Sequence, residues 1–320
     1  MRRPRIAVIG SYNEGLVMKT DRLPVWGETV IGNGFSEGPG GKGSNQAVAA
    51  ARLGAEVVFI GCVGDDFFGA GASAMLRSEG VDISFMRKTS SAKTGVGFVI
   101  LNRHGENCIL VDAGANHELS RQDIDDARKP LEHADIVLVQ LEIRTEITEY
   151  AMATARRMGK TVILNPAPAK PGLEPLLKYA TIVTPNDSEL KILCGIDPSL
   201  ELDEGQCAGL AASLLPHGPE AVIVTRGEKG ALLIERGRVL SIPPPKVEPV
   251  DTTGAGDSFS AALAVALGEG AAIDEAVNFA CHAGAYTVTG AEVIPALPDR
   301  TSLERFIREC RQGSPEAGDG

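Results

Sequence analysis

Short apolar runs alternate along most of this chain with longer segments that repeat at helical spacing. Arg5–Gly10, Val57–Gly61, Val81–Arg87, Ile136–Val139, Thr161–Leu164, Ile182–Thr184, Ala221–Thr225 and Ala231–Glu235 are short and β-prone, and read as strands. Between and after them, Phe68–Ser78, Glu146–Arg157, Ser188–Cys194, Gln206–Leu215, Asp257–Leu267, Asp274–Val288 and Thr301–Gln312 read as helices. A further helix over Ala47–Leu53 can be capped by Ser44 or Asn45 and is stopped by Gly54. Strand and helix in alternation imply right-handed βαβ units and an α/β fold with a parallel sheet covered on both faces. Ligands in such folds sit at the carboxyl ends of the strands.

Two stretches do not fit this alternation. Asn13–Ser36 lacks helical periodicity, carries turn signals at Asp21, Pro24, Gly27, Gly32 and Gly34, and has short β-prone pieces at Leu16–Lys19 and Thr29–Ile31. Thr94–Asn102 and Asn107–Val111 flank Arg103-His104-Gly105-Glu106, a hairpin signal. Both are expected to form a small sheet apart from the main one.

Composition narrows the function. The chain has 320 residues, 43% hydrophobic and 23% charged, with net charge −11. The hydrophobic fraction suffices for a sizeable core, and the negative balance argues against nucleic acid or an anionic membrane as the main partner. No run reaches the roughly 18 apolar residues of a membrane span. The apolar run after Met1-Arg2-Arg3-Pro4 is too short for a secretion signal and reads as the first strand. The six cysteines form no C-x-x-C pair, so a zinc site or disulfide framework is not expected and the cytoplasm is the simple location. None of the five histidines lies in a metal motif.

The stretch Asp251-Thr252-Thr253-Gly254-Ala255-Gly256-Asp257-Ser258-Phe259 carries the most chemistry. It is a glycine-rich turn opening an alanine-rich helix, so backbone N–H groups converge where the helix dipole is positive. Asp257 would repel a bound phosphate. It reads either as a base taking a proton from a hydroxyl that attacks a phosphate, or as an N-terminal charge partner of its helix. Gly38-Pro39-Gly40-Gly41-Lys42-Gly43 formally matches G-x-G-x-x-G, but a long excursion separates it from the first strand and Glu56 precedes its own strand, so a dinucleotide site is rejected. No Walker A loop occurs. The glycines with Lys42 and Asn45 suit a polyhydroxylated ligand, or else form a plain turn with a surface lysine. Asn186 and Glu189, just past a strand end, suit water-mediated Mg²⁺ or simple helix capping. Thr225-Arg226-Gly227-Glu228-Lys229-Gly230 could wrap a nucleotide or be a tight turn. Asp65 and Asp66 read as capping residues of the helix that follows.

Taken in order, these motifs resemble the ribokinase group of the PfkB carbohydrate-kinase family. The matching text is Gly40-Gly41-Lys42-Gly43-Ser44-Asn45-Gln46-Ala47, Gln140-Leu141-Glu142, Asn165-Pro166-Ala167-Pro168, Pro185-Asn186-Asp187-Ser188-Glu189, Thr225–Gly230 and Asp251–Phe259. The resemblance covers about residues 5 to 310. It implies a Rossmann-like αβα sandwich with a small β-sheet lid: one domain over 1–312, lid strands from about 13–36 and 94–111, and a disordered tail at 313–320. It implies transfer of the ATP γ-phosphate to a sugar primary hydroxyl, with Asp257 as base and Gly254, Ala255 and Gly256 as the anion hole. Asn13, Gly41, Lys42, Asn45 and Glu142 match sugar-contacting positions. Asn186 and Glu189 match the motif linked to Mg²⁺ and phosphate, and Thr225, Gly227 and Gly230 match the ATP loop. Asp251 and Thr253, with Thr287, Gly290 and Glu292 from the late loop, match a monovalent-cation site, usually K⁺. A homodimer through the lid is implied as well.

The chain departs from the family pattern in the lid and in the cation loop. The family carries N-x-D after the first strand, where this chain has Asn13-Glu14-Gly15. Gly97 stands where a lid strand would face the sugar, and Ala296 replaces the late loop's hydroxyl residue. The resemblance makes D-ribose to D-ribose 5-phosphate the first expectation, and these departures motivate the alternative. Another sugar (deoxyribose or a ketohexose) or a nucleoside is the alternative, and a non-catalytic sensor on the same fold is the third.

Overall fold

A computed structural model of the chain describes residues 3–103 and 107–313. Along the chain come β1 (Arg5–Ile9), β2 (Asn13–Lys19), β3 (Asn33–Gly40), α1 (Lys42–Arg52), β4 (Glu56–Gly64), α2 (Phe67–Ser78), β5 (Asp82–Thr89), β6 (Gly95–Leu101) and β7 (Asn107–Asp112). A 3-10 turn at Gly114–Glu118 leads to α3 (Arg121–Asp126), α4 (Arg128–His133), β8 (Ile136–Val139), α5 (Thr145–Arg157), β9 (Thr161–Leu164), α6 (Glu174–Leu177), β10 (Ile182–Val183), α7 (Asp187–Leu193) and α8 (Glu204–Ala212). Then follow β11 (Ala221–Thr225), β12 (Ala231–Glu235), β13 (Arg238–Ile242), α9 (Ala255–Gly268), α10 (Ile273–Thr287), α11 (Val293–Ala296) and α12 (Arg300–Gly313).

Nine strands form one sheet in the order β13-β12-β11-β10-β9-β8-β1-β4-β5, parallel from β11 to β5 with β12 and β13 antiparallel at one edge. Its central strands are apolar throughout because both faces are covered. Ile6 and Val8 enter a core with residues of α1, α2, α9, α10 and α12, whereas Ala7 and Ile9 enter a second core with residues of α3 to α8. Each fully buried Val, Leu or Ile contributes about 1.5–3 kcal/mol, which is why runs as short as Ile136–Val139 hold their place. The chain runs outward from β1 to β4 and β5, then returns to β8 on the other side of β1. This reversal opens a crevice beyond the carboxyl ends of β1 and β8.

The second sheet, β3-β2-β6-β7, stands apart from the first. Its two central strands, β2 and β6, pair in parallel. Apolar side chains stay exposed across it: Phe35, Phe98, Ile109, Leu110 and Val111 are all about half exposed or more.

Several local expectations are corrected. The glycine-rich run Gly38–Gly43 is not a turn. Residues to Gly40 belong to β3, because pairing with β2 holds them extended despite poor strand propensity. The β-prone piece Thr29–Ile31 lies outside any strand. The α1 helix starts at Lys42, so Ser44 and Asn45 lie inside it and do not cap it; Ser44 Oγ bonds back to the Gly40 and Gly41 carbonyls. The edge strand β13 and the short helices α3, α4, α6 and α11 lacked sufficient pattern to be read. Gly313 closes α12, and the remainder of the expected tail lies outside the described residues, as do His104, Gly105 and Glu106 of the hairpin turn. No described helix is long and apolar enough to cross a membrane, and all six cysteines are free.

Candidate active site

The crevice is built from the end of β1, the end of β8 and the first turns of α1 and α9. Gly41 caps α1 with φ 92°, a conformation that disfavours a side chain; a Cβ there would also lie 2.6 Å from the Asn13 backbone nitrogen. This contact lets the first turn of α1 lie directly against the β1–β2 link. There Glu142 Oε2 accepts from the Lys42 N–H at 2.8 Å, from Ser11 Oγ, and from Asn13 Nδ2 at 3.4 Å. Asn13 is oriented by Asn116, which donates to Asn13 Oδ1 at 2.8 Å and to the Tyr12 carbonyl at 2.9 Å. The next N–H groups of α1 are engaged as well: Gly43 with Ser11 Oγ, Ser44 with the Ser11 carbonyl, and Asn45 with the Gly41 carbonyl.

One turn further along α1, side chains reach across to α9. Asn45 Nδ2 donates to Asp257 Oδ2 at 2.9 Å, and Gln46 Nε2 donates to Asp257 Oδ1 at 3.0 Å. Asp257 is 6% exposed. Asn45 Oδ1 is buried without a partner, an acceptor that a ligand hydroxyl would satisfy. Burial pulls the Lys42 ammonium down, but the fields of Asp257, Glu142 and Glu189 outweigh it and leave its pKa raised, so it stays charged.

The α9 helix opens on Gly254 with φ 82°. The first strong helical bond is Ser258 N–H to the Gly254 carbonyl at 2.9 Å, and Ala255 makes only a 3.4 Å contact to the Thr252 carbonyl. The N–H groups of Gly256 and Asp257 have no acceptor among the described residues, and the space where a Gly256 side chain would lie is open. This N-terminus is arranged to receive an anion.

The loop before α9 meets the loop after α10. The Val250 and Asp251 N–H groups both donate to the Val288 carbonyl, at 2.7 and 3.2 Å, while Asp251 Oδ1 accepts from Thr253 N and Oγ1. Thr287, Gly290 and Glu292 therefore lie on the segment against Asp251 and Thr253. Glu292 has φ 62°, rare for a non-glycine residue.

Asn186 and Glu189 form a reciprocal capping box at the start of α7, at 2.8 and 2.9 Å. Capping thus occupies Asn186 Oδ1 and Glu189 Oε2. Burial pushes the Glu189 carboxyl up, opposed by the Asn186 N–H and Lys42 and reinforced by Asp257. A parallel bridge joins Asn186 to Thr225, where Gly227 (φ 55°) and Gly230 (φ 81°) shape the turn after β11. That turn is tied to α7 by the nearly buried Arg226, whose guanidinium faces Asp187 at 3.5 Å and Glu204 at 3.3 Å.

The structure thus gathers Asn13, Gly41, Lys42, Asn45, Glu142 and Asp257 around one crevice, and Lys42 couples them electrostatically to Glu189. Thr225, Gly227 and Gly230 join Asn186 in a neighbouring group that makes no direct hydrogen bond to Asp257. Sequence reasoning assigned no role to Ser11, Gln46, Asn116, Gln140, Asn165 or Arg226. Gln46, Gln140 and Asn165 lie within the motifs, but their partners are distant in sequence and carry no local signal. Glu14 faces away from Asn13, accepting from Tyr12 Oη at 2.6 Å, and burial raises its pKa.

The family described as pfkB family carbohydrate kinase matches residues 3–300. A ribokinase of Bacillus subtilis is 38% identical over 302 residues, spanning 94% of this chain and 99% of its own. A deoxyribokinase of Salmonella typhimurium is 37% identical over 304 residues, spanning 94% and 97%. The fold is similar to that of Arabidopsis thaliana ribokinase complexed with ribose and ATP, with TM-score 0.88, 32% identity, and 96% of this chain and 99% of that one covered.

Proposed function

The chain belongs to the pfkB family of carbohydrate kinases, and from that premise we propose that it transfers the γ-phosphate of ATP to the primary hydroxyl of D-ribose, giving D-ribose 5-phosphate. The observation that carries the reading is Asp257, a buried carboxylate fixed by two amides and seated beside unengaged N–H groups at the start of α9. A base and an anion hole side by side are what hydroxyl phosphorylation requires.

Asn13, Gly41, Lys42, Asn45 and Glu142 bind and orient the sugar, with the unpartnered Asn45 Oδ1 accepting from a hydroxyl. Asp257 takes the proton from the attacking hydroxyl. The N–H groups of Gly254, Ala255 and Gly256 hold the transferring phosphoryl, where positioning and charge neutralisation do most of the work. Lys42 stays charged and adds positive potential nearby. Thr225, Gly227 and Gly230 wrap the nucleotide. With Asn186 Oδ1 and Glu189 Oε2 engaged in capping, Glu189 Oε1 is the oxygen of this pair that would hold a Mg²⁺ ion, through water. When bound, Mg²⁺ neutralises phosphate charge. Asp251, Thr253, Thr287, Gly290 and Glu292 fit a K⁺ site that would steady the loop leading into α9. The exposed apolar residues of the β2–β3–β6–β7 sheet favour a homodimer through that lid, and a cytoplasmic location suits the free thiols.

One observation favours a second substrate. Gly38, Gly15 and Gly97 lie side by side across three lid strands, on the face that carries Asn13. No side chain there can replace the missing carboxylate, and a site built to pair hydroxyls loses affinity when a partner goes. Deoxyribose, a ketohexose or a nucleoside is the alternative on that ground. An ADP-release assay over ribose, deoxyribose, ketohexoses and nucleosides decides. The highest kcat/KM is expected for D-ribose; a higher value for another acceptor replaces it, and sugar binding without phosphorylated product turns the protein into a sensor.

A further inference from the structure

A buried polar chain lies behind the base. Gln46 is 0% exposed, Gln140 1% and Asn165 5%. Gln140 Nε2 donates to Gln46 Oε1. Gln46 Nε2 donates to Asp257 Oδ1 at 3.0 Å and to Asn165 Oδ1 at 3.2 Å. Asn165 Nδ2 donates in turn to the Thr184 carbonyl at 3.2 Å. Both Gln46 N–H bonds and its oxygen are therefore committed. The Asp257 carboxylate, which only accepts, settles which way the Gln46 amide points; Gln140 then donates to the Gln46 oxygen, its own Oε1 being buried without a partner.

We propose that Gln46 is a positioning residue for the Asp257 base and that Gln140 acts through it; this rests on the kinase reading of the site. The terminal torsion of an aspartate is broad and roughly two-fold, so a single hydrogen bond does not define the carboxylate plane. Asn45 holds Oδ2 and itself faces the ligand through its unpartnered oxygen. Gln46 holds Oδ1 from the side away from the sugar. Together the two amides clamp the plane from opposite oxygens and leave one lone-pair direction on Oδ2 for the incoming proton. Packing alone would be served by methionine, which fills similar volume without a donor.

The test compares Gln46→Met, Gln140→Met, Asp257→Asn and the Gln46→Met/Asp257→Asn pair, all checked for folding by circular dichroism and thermal melting. Gln46→Met is expected to lower kcat about 10- to 100-fold, as expected for slight misplacement of a reacting group, with KM for sugar and ATP within about threefold. Gln140→Met should lower kcat in the same manner but less, roughly 3- to 10-fold. On the Asp257→Asn background, Gln46→Met should add no further loss, the mark of two residues acting as one unit. Wild-type kcat in Gln46→Met, a loss confined to KM, or an equal loss on both backgrounds overturns the inference. Should Gln46→Met fail to fold, Gln140→Met decides, and wild-type turnover there overturns it. If Asp257→Asn itself retains full turnover, the kinase reading of Asp257 fails first, and the two failures are thereby told apart.

Discussion

Two helices begin in the crevice by the same local device, and only one begins with free donors. Both α1 and α9 follow a glycine of positive φ, Gly41 at 92° and Gly254 at 82°, and neither has a side-chain cap. At α1 the first N–H groups are engaged by Glu142 and Ser11. At α9 the N–H groups of Gly256 and Asp257 remain unengaged by the described residues. A glycine-opened helix is thus not an anion site in itself. An anionic acceptor already in place turns one N-terminus into a rigid wall that presents Lys42 and Asn45, while its absence leaves the other for a phosphoryl group.

The strongest way to break this comparison is Asp257→Asn. It keeps the open N-terminus of α9 and removes only the carboxylate. Turnover should fall on the order of 10³-fold or more with the melting temperature little changed. Near-wild-type turnover would mean that the free N–H groups suffice and that Asp257 only balances its helix.

Glu142→Gln probes the engaged helix. It removes the charge that three donors share, worth about 1.5–3 kcal/mol for a hydrogen bond to a charged group. Sugar kcat/KM should fall roughly 10- to 100-fold, mostly through KM. An unchanged KM would detach Glu142 from the sugar.

The two cap glycines should differ in how they can be repaired. At Gly41 a Cβ meets the Tyr12 and Asn13 backbone, whereas at Gly254 it meets Val293 Cγ1 at 2.5 Å. Each alanine substitution should cost about 1–3 kcal/mol, read from thermal or denaturant unfolding. Val293→Ala should recover part of the Gly254→Ala loss and none of the Gly41→Ala loss; equal recovery in both would refute the distinction.

The smallest effect concerns Glu189. Its carboxyl is raised in the folded protein, so the folded state holds the proton more tightly than the unfolded chain does. That stabilisation is complete below the unfolded value and is lost as pH rises through the raised one. Glu189→Gln should therefore gain stability relative to wild type as pH climbs from about 4.5, by a degree or two in Tm. A Tm difference that stays flat across that range would remove Glu189 as the source.

The sheet strands and the long helices were legible because their cause is local: apolar runs bounded by turn residues, and glycine before an alanine-rich stretch. Asp257 and its glycines are within a few residues of one another, so their geometry follows from the turn itself. The Asn186–Glu189 capping box is local too. The strand β3 escaped local reading because Asn33–Gly40 contains few residues that favour extension, and its form is imposed by pairing with β2. Short helices such as α3 and α6 span too few turns for a period to show.

By itself, then, the sequence determined the alternating architecture, the glycine-rich turn that opens α9 and the presence of a carboxylate in the first turn of that helix. The fold alone decided which donors were free. Glu142 reaches the Lys42 N–H from 100 residues away, and Gln46 reaches Asp257 from 211. Such contacts are set by how β8, α1 and α9 pack around one crevice, and no local propensity encodes them. Whether a helix N-terminus holds a phosphate or a neighbouring carboxylate depends on what the rest of the chain places in front of it.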